Sequence, residues 1–515
     1  MKYTVLYIAI FFLTGCVNYH RPLDEVSIAF VSDIHFRDLS AINDSSLQLS
    51  KMKDQIMSTR LFNENYYACF STLDNIAERN IKIVVITGDL TDDSQKENVE
   101  GISRVLKYYE DKYNMKFFLM TGNHDPSRPF NYIGNNQVKL GYEDILKSWH
   151  DYGFFPLENY IYWESPYYKN DLNSYSYQLS SKNAFLHNRK YNIKGYNPSI
   201  VDASYLVEPV KGLWLLAIDA SVYPPGAVCN DSIVGFKGAS LGYNGFIHDK
   251  NHLLSWIKDV CNRARKYNKC LVAFSHYPMV DLYGYLSDKS KKIIYNEAEI
   301  KRIPKSHVSD SLADTGLKIH FGGHLHVNNT AVYTSEKGNS FVNIQVPSIS
   351  GYLPAYKILH IKNKDDFDIE TVLLDKVDKF DNFFQFYEKE YNATTENSWD
   401  YDIIKSSNYV DYVTSYFEEL IKNRFIKEDY PFFIKHDNEI IYDLIKIKYG
   451  GDLAIEQLGN DKISNIIEIA KSDIASGSDS VINEYRLTIK DIVDSKYPDK
   501  DFSIHFNNND IDISY

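Results

Sequence analysis

The run Val26-Ser27-Ile28-Ala29-Phe30-Val31 and the Asp33-Ile34-His35 that follows it decide the reading of this chain. A short, mostly apolar run of this kind is the pattern of a buried strand. Here it delivers a carboxylate and an imidazole just past its end. The design recurs along the sequence. Residues 81–86 deliver Gly88-Asp89, 116–120 deliver Gly122-Asn123-His124-Asp125, and 213–218 end at Asp219. Residues 270–274 deliver His276, and 317–321 deliver Gly323-His324-Leu325-His326. Helical patterns lie between several of these runs, as at 61–79 and 252–267. Strands alternating with helices predict an α/β layered fold. In such folds, ligand groups gather on loops at the carboxyl ends of the strands.

The chemistry follows from the residue types. Asp33, His35, Asp89, Asn123, His276, His324 and His326 supply oxygen and nitrogen ligands suited to Mn, Fe or Zn without selecting one of them. This inventory fits two adjacent divalent metals, with Asp89, on a tight Gly-Asp turn, as the natural bridge. Two metals ~4 Å apart clamp a phosphoryl group, acidify a water and neutralise charge on the leaving oxygen. One histidine must then stay off the metals to protonate that oxygen. His124, next to Asn123, is placed for this, and Asp125 is expected to hold it in orientation. Singly, each residue has a plainer reading. His276 before Tyr277-Pro278 reads as a loop histidine, His324 and His326 as strand caps, and Asp33 as a turn residue. Their order, and the strand-like run before each, favour the ligand reading. Asp92 and Asp93 read as turn or helix-cap residues, and His320, inside an apolar run, as core.

The series D-x-H, G-D, G-N-H-D, H and G-H-x-H resembles the calcineurin-like metallophosphoesterase family, over about residues 26–361. The resemblance implies a four-layer β-sandwich flanked by helices, with a dinuclear site at one edge. It further implies that Asp33, His35, Asp89 and His326 bind one metal and Asp89, Asn123, His276 and His324 the other, with His124 as proton donor. Gly88-Asp89-Leu90-Thr91-Asp92, the strand end 216–219 and Val346-Pro347-Ser348 resemble the cyclic-nucleotide phosphodiesterase-like branch. The insertion after Asp125 is long for a compact member of that branch. In outline, an exported two-domain chain is also similar to acid-sphingomyelinase-like phosphodiesterases.

A length of 515 residues predicts two domains, and 44% apolar content supports a packed core. The formal charge of −13 argues against broad nucleic-acid binding, which needs clustered cations. At the N-terminus, Lys2 precedes a short apolar run at 5–13 that ends at Leu13-Thr14-Gly15-Cys16. This resembles the lipobox of bacterial lipoproteins, which implies a signal peptide at 1–15 and a lipid on Cys16. An ordinary signal peptide with an incidental cysteine is the competing reading. Val17 points by resemblance to an outer-membrane destination in a Gram-negative envelope. Residues 16–25 read as a tether and 26–370 as the phosphoesterase domain. That domain carries insertions at 126–210 and 221–247, the second a candidate substrate loop or a plain surface excursion. Residues 371–515, with apolar spacing of three to four over 401–425, 440–447, 463–474 and 481–493, read as a mostly α-helical C-terminal domain. Cys261 and Cys270 flank a helix-to-strand connection and are open to two readings, a disulfide or buried free thiols.

The functional expectation is dinuclear-metal-dependent hydrolysis of a phosphate ester, favouring diesters, by a membrane-anchored envelope enzyme. A phosphomonoesterase and a lipid-headgroup phosphodiesterase are the alternatives within the class. Outside it stands an envelope binding or scaffold protein with a vestigial metal site. The intact motif set favours the enzyme.

Overall fold

Phe30 and Phe321 stack with ring centroids 3.7 Å apart and planes 8° from parallel, and they mark the contact between two seven-stranded sheets. The protein is seen in a computed structural model. It describes residues 25–40, 49–193, 199–229, 232–239, 241–282, 301–394, 399–424, 446, 453, 456–459, 464, 499–507 and 510–514. The first sheet runs in the order 510–514, 502–507, 366–373, 355–361, 26–31, 83–86 and 116–119. The second runs 329–334, 340–345, 319–322, 270–274, 213–217, 205–210 and 162–164.

The motif-bearing strands are parallel neighbours. Val26–Val31 pairs in parallel with Ile83–Ile86, and that strand with Lys116–Leu119. In the second sheet Leu213–Ala217, Cys270–Phe274 and Ile319–Gly322 pair in parallel. Parallel pairing needs crossover connections, and helices supply them. Asn65–Glu78 buries Ala68, Cys69, Thr72, Leu73 and Ile76, one face at helical spacing. Lys96–Tyr113 ends where Asn114 turns left-handed, at φ 55°. His252–Lys266 packs against the strand Cys270–Phe274. With helices outside both sheets, the outcome is the layered α/β sandwich expected from the sequence. All carboxyl ends of the parallel strands then open on one edge.

The insertion 126–210 is part of this sandwich. Its strands Tyr162–Glu164 and Tyr205–Val210 complete the edge of the second sheet. Its Trp149 and Trp163 are fully buried, so these rings serve packing. The expected boundary at 371 falls inside the strand Asp366–Leu373. Beyond it, Phe502–Asn507 and Asp510–Ser514 return to the first sheet, so the chain's end is continuous with the catalytic layers. Within 401–425 a 3-10 turn at Tyr401–Lys405 precedes the helix Tyr409–Leu420. The helical patterns at 440–447, 463–474 and 481–493, the signal peptide and Cys16 lie outside, or almost wholly outside, the described residues. Cys261 and Cys270 are free, buried thiols. Among the described residues no helix is long and apolar enough to cross a membrane.

Candidate metal centre

Five of the seven expected ligands hold backbone conformations that L-residues rarely adopt. Asp33, His35, Asp89, His324 and His326 have φ of 50°, 48°, 49°, 75° and 56°. Such conformations cost energy and persist where the surroundings over-determine them, often at functional sites. They turn each side chain sharply inward at the end of its strand. Gly88, at φ 103°, makes room for the His276 ring, which a Cβ there would strike. Gly323 likewise lets Ser32 and the Asp33 carboxylate approach the histidine loop.

All seven side chains converge from both sheets, and six of them fall in two groups. Asp33, His35 and His326 form one and Asp89, His276 and His324 the other, each with donor atoms within 4.8 Å of one another. In the first, His326 Nε2 lies 3.1 Å from His35 Nε2 and 3.2 Å from Asp33 Oδ1. In the second, His276 Nε2 lies 3.2 Å from His324 Nδ1, 3.3 Å from Asp89 Oδ2 and 3.2 Å from Asn123 Oδ1. Asp89 Oδ2 also lies 3.8 Å from His35 Nε2, so one oxygen faces both groups. Asp89 Oδ1 accepts the backbone N–H of His124 at 2.7 Å.

Backbone carbonyls fix two of the imidazoles. Thr87 O lies 3.0 Å from His276 Nδ1, and Thr59 O lies 3.2 Å from His326 Nδ1. A carbonyl only accepts, so each Nδ1 donates to it and each Nε2 faces inward. These nitrogens meet two carboxylates and an amide oxygen in a buried space. Burial there pushes the His276 pKa down, but Asp89 outweighs it and raises the value to about 9, and Asp33 Oδ1 has no hydrogen-bond partner. Nitrogen and oxygen atoms packed this closely suit divalent cations, and the residues fit a two-metal site.

His124 is in neither of these groups but borders the first. With His35 and Asp92 it forms a third cluster whose donor atoms lie within 4.8 Å of one another, and its ring meets His35 edge-on with centroids 5.0 Å apart. Its side chain is 22% exposed, and its Nδ1 bonds Asp93 Oδ1 at 2.7 Å. Burial and the Arg60 charge push its pKa down, but Asp89, Asp93 and Asp92 outweigh them and raise it above the ordinary histidine value. The expectation that Asp125 orients this ring is corrected. Asp125 accepts from Leu90 N at 2.9 Å, Thr91 N at 2.7 Å and Thr91 Oγ1 at 2.8 Å. Its carboxylate is taken up by the turn after Asp89, so it braces the backbone that follows Asp89. Asp93 is a turn residue, one of the two roles expected of it, and does not cap a helix, since Lys96–Tyr113 begins after Gln95 without a side-chain cap. The signal for Asp93 was the carboxylate pair Asp92-Asp93, on the same loop as Asp89.

Arg60 was not legible as a site residue. It reaches from a distant loop, and its Nη2 bonds Asp92 Oδ1 at 2.5 Å. The strand end at Asp219 does not serve the site. Lys250 Nζ holds Asp219 at 2.9 Å and Asp202 at 3.0 Å in a fully buried ion group. His320 is core, its ring between Ser275 Oγ and Asn343 Oδ1, each at 2.8 Å, and burial pushes its pKa down to about 4.

A profile of the Calcineurin-like phosphoesterase family matches residues 26–328, and the chain belongs to that family. It is a metal-dependent phosphoester hydrolase whose cofactor is a pair of divalent metal ions and whose substrate is a phosphate ester. No curated protein sequence matches the chain. Among solved structures it is similar to a dimetal phosphatase from Danio rerio, with TM-score 0.38 and 11% identity over 69% of this chain and 97% of that one. It is also similar to a purple acid phosphatase from yellow lupin (Lupinus luteus) seeds, with TM-score 0.34 and 10% identity over 68% of this chain and 52% of that one. A third is GAP50, the anchor in the inner membrane complex of Plasmodium, with TM-score 0.28 and 12% identity over 69% of this chain and 87% of that one.

Proposed function

We propose that the chain is a phosphodiesterase of the cell envelope, held at a membrane by a lipid on Cys16. In this reading Asp33, His35, Asp89 and His326 hold one metal, and Asp89, Asn123, His276 and His324 hold the other. The observation that carries it is the position of Asp89 Oδ2, which faces His35 at 3.8 Å and His276 at 3.3 Å. When bound, the metal pair supplies Lewis-acid stabilisation of the phosphoryl charge and lowers the pKa of water. The protein's residues do the rest. Thr59 O and Thr87 O keep the Nε2 atoms of His326 and His276 aimed inward. His124, tethered through Nδ1, is left with Nε2 to carry a proton to the leaving oxygen. Asp93 and Asp89 favour the protonated ring this step starts from.

The preference for diesters and the cyclic-nucleotide-like branch rest on the sequence resemblance. The hairpin of Pro225–Cys229 and Ser232–Phe236 packs on the segment that follows Asp125. Phe236 packs on Phe130, and Tyr223 Oη donates to Pro126 O at 2.7 Å. That placement favours a role in substrate contact. Protein lacking residues 1–16, supplied with Mn, should hydrolyse an aryl phosphodiester faster than an aryl phosphomonoester. A faster monoester reaction overturns the diester reading. For the anchor, Cys16→Ser should move the full chain from the membrane fraction to the soluble one, and retention would sink the lipid assignment.

A further inference from the structure

We infer that the helix Tyr409–Leu420, outside the segment that matches the family, positions the metal ligand His326, and that Tyr416 is its contact residue. The inference rests on the ligand assignment above and names a regulator of that site. Tyr416 Oη donates to the carbonyl of Ser58. The next carbonyl, Thr59 O, orients His326 Nδ1 at 3.2 Å, and the residue after it, Arg60, pairs with Asp92. Three consecutive residues thus join a C-terminal helix to a ligand and to the acidic loop beside His124.

The loop is anchored from several sides. Leu61 N donates to Ser350 O at 2.7 Å, Phe62 N to Gln55 Oε1 at 2.7 Å and Ser58 N to Gln55 O at 2.8 Å, and Asn63 exchanges hydrogen bonds with the Ser50 backbone. Further supports come from the C-terminal helices. Tyr387 Oη accepts from Gln55 Nε2 at 2.9 Å and Asn63 Nδ2 at 2.8 Å, and donates to Glu64 Oε1 at 2.6 Å. Tyr412 Oη donates to the same Glu64 oxygen at 2.9 Å. On the other flank Phe417 stacks on Tyr352, centroids 4.1 Å apart, and Tyr409 Oη reaches Ile349 O at 3.2 Å. The helix therefore grips both walls of the slot that holds Thr59 O, since a Cβ on Gly351 would itself press on that carbonyl.

The grip is one-sided. It reaches His326, and Asn65 Nδ2 from the same stretch donates to the carbonyl of His35. The second group is braced separately, by Thr87 O on His276. Outer partners of a metal-bound histidine typically change metal affinity or activity by roughly 10- to 100-fold when removed. Loss of the Tyr416 hydroxyl should weaken one metal and spare the other.

The test is Tyr416→Phe in the full chain, with Mn binding followed by calorimetry, metal content counted after dialysis, and apo-protein melting recorded alongside. Tyr356→Phe, which removes a hydroxyl bonded to Asn75 on the helix Asn65–Glu78 and not to the 58–60 stretch or to an expected ligand, is the control. The expected result is roughly tenfold or greater loss of affinity for one of two metals in Tyr416→Phe. The other metal and the control stay within about twofold of wild type. Equal loss at both sites, or no loss at either while wild type binds two, overturns this inference and leaves the ligand assignment standing. A wild-type chain that takes up no metal overturns the assignment and the inference together.

Discussion

His124 Nδ1 lies 2.7 Å from Asp93 Oδ1, and Lys139 Nζ lies 3.0 Å from the other oxygen of the same carboxylate. Burial alone would raise the pKa of Asp93, yet His124 and Lys139 hold it well below the usual carboxylate range. The charged carboxylate in turn favours the protonated imidazole. A donor of this kind works only while it carries its proton, so activity falls as pH rises through the His124 pKa. Asp93→Asn removes a raising influence. Its alkaline limb should move to lower pH, with kcat/KM down roughly 10- to 100-fold. Asp125→Asn, which disturbs the turn after Asp89, should not move that limb selectively. A pH–rate profile of both variants checks this, and an unmoved limb in Asp93→Asn would argue against the pairing.

Removing the imidazole separates proton transfer from metal binding. His124→Ala should retain both metals by elemental analysis while kcat drops roughly 10²- to 10⁴-fold. The loss should be largest for esters with poor leaving groups, which need the proton most. An equal loss across a series of aryl leaving groups would point away from proton donation.

Asp89 faces both groups with one oxygen and braces His124 N with the other. Asp89→Asn should therefore reduce occupancy of both metals. A neutral amide offers one oxygen and no charge to two cations, and the loss should be read by metal counts per chain. Two fully retained metals in that variant would refute the bridging role.

Glu64 gives a pH dependence to stability. It is fully buried between Tyr387 and Tyr412, and burial raises its pKa from 4.5 to about 7 against the pull of those hydroxyls. Between these values the folded chain binds a proton that the unfolded chain has lost. The stabilisation is complete at pH below 4.5 and disappears as pH rises to about 7, with no further change above. A shift of this size corresponds to on the order of 3 kcal/mol. Glu64→Gln should flatten this part of the profile in urea unfolding at constant metal loading. An unchanged slope would assign the pH dependence to other groups.

Much of the site could be read because strand geometry is local. Six apolar runs marked six strands, and Val26–Val31 and Cys270–Phe274 fall where their runs do. A candidate ligand two to five residues beyond such a run needs no long-range information to be found. Less local features escaped. Tyr205–Val210 sits inside what reads as an insertion, because it delivers no ligand motif and its antiparallel partners Leu213–Ala217 and Tyr162–Glu164 are set by the tertiary fold. Asp125 and Asp93 exchanged roles, because sequence adjacency to His124 says nothing about which carboxylate the ring turns toward.

By itself the sequence determined the reaction class and the seven residues gathered at the centre, since each lies directly after a strand that parallel pairing brings to one edge. Tertiary structure decided which groups orient them. Asp93 reaches His124 across 31 positions, Thr59 O reaches His326 across 267, and Tyr416 reaches Ser58 across 358. The physical reason is that a side chain's direction is set by the neighbours packed around it. Those neighbours are assembled only when the two sheets and the C-terminal helices close on one another.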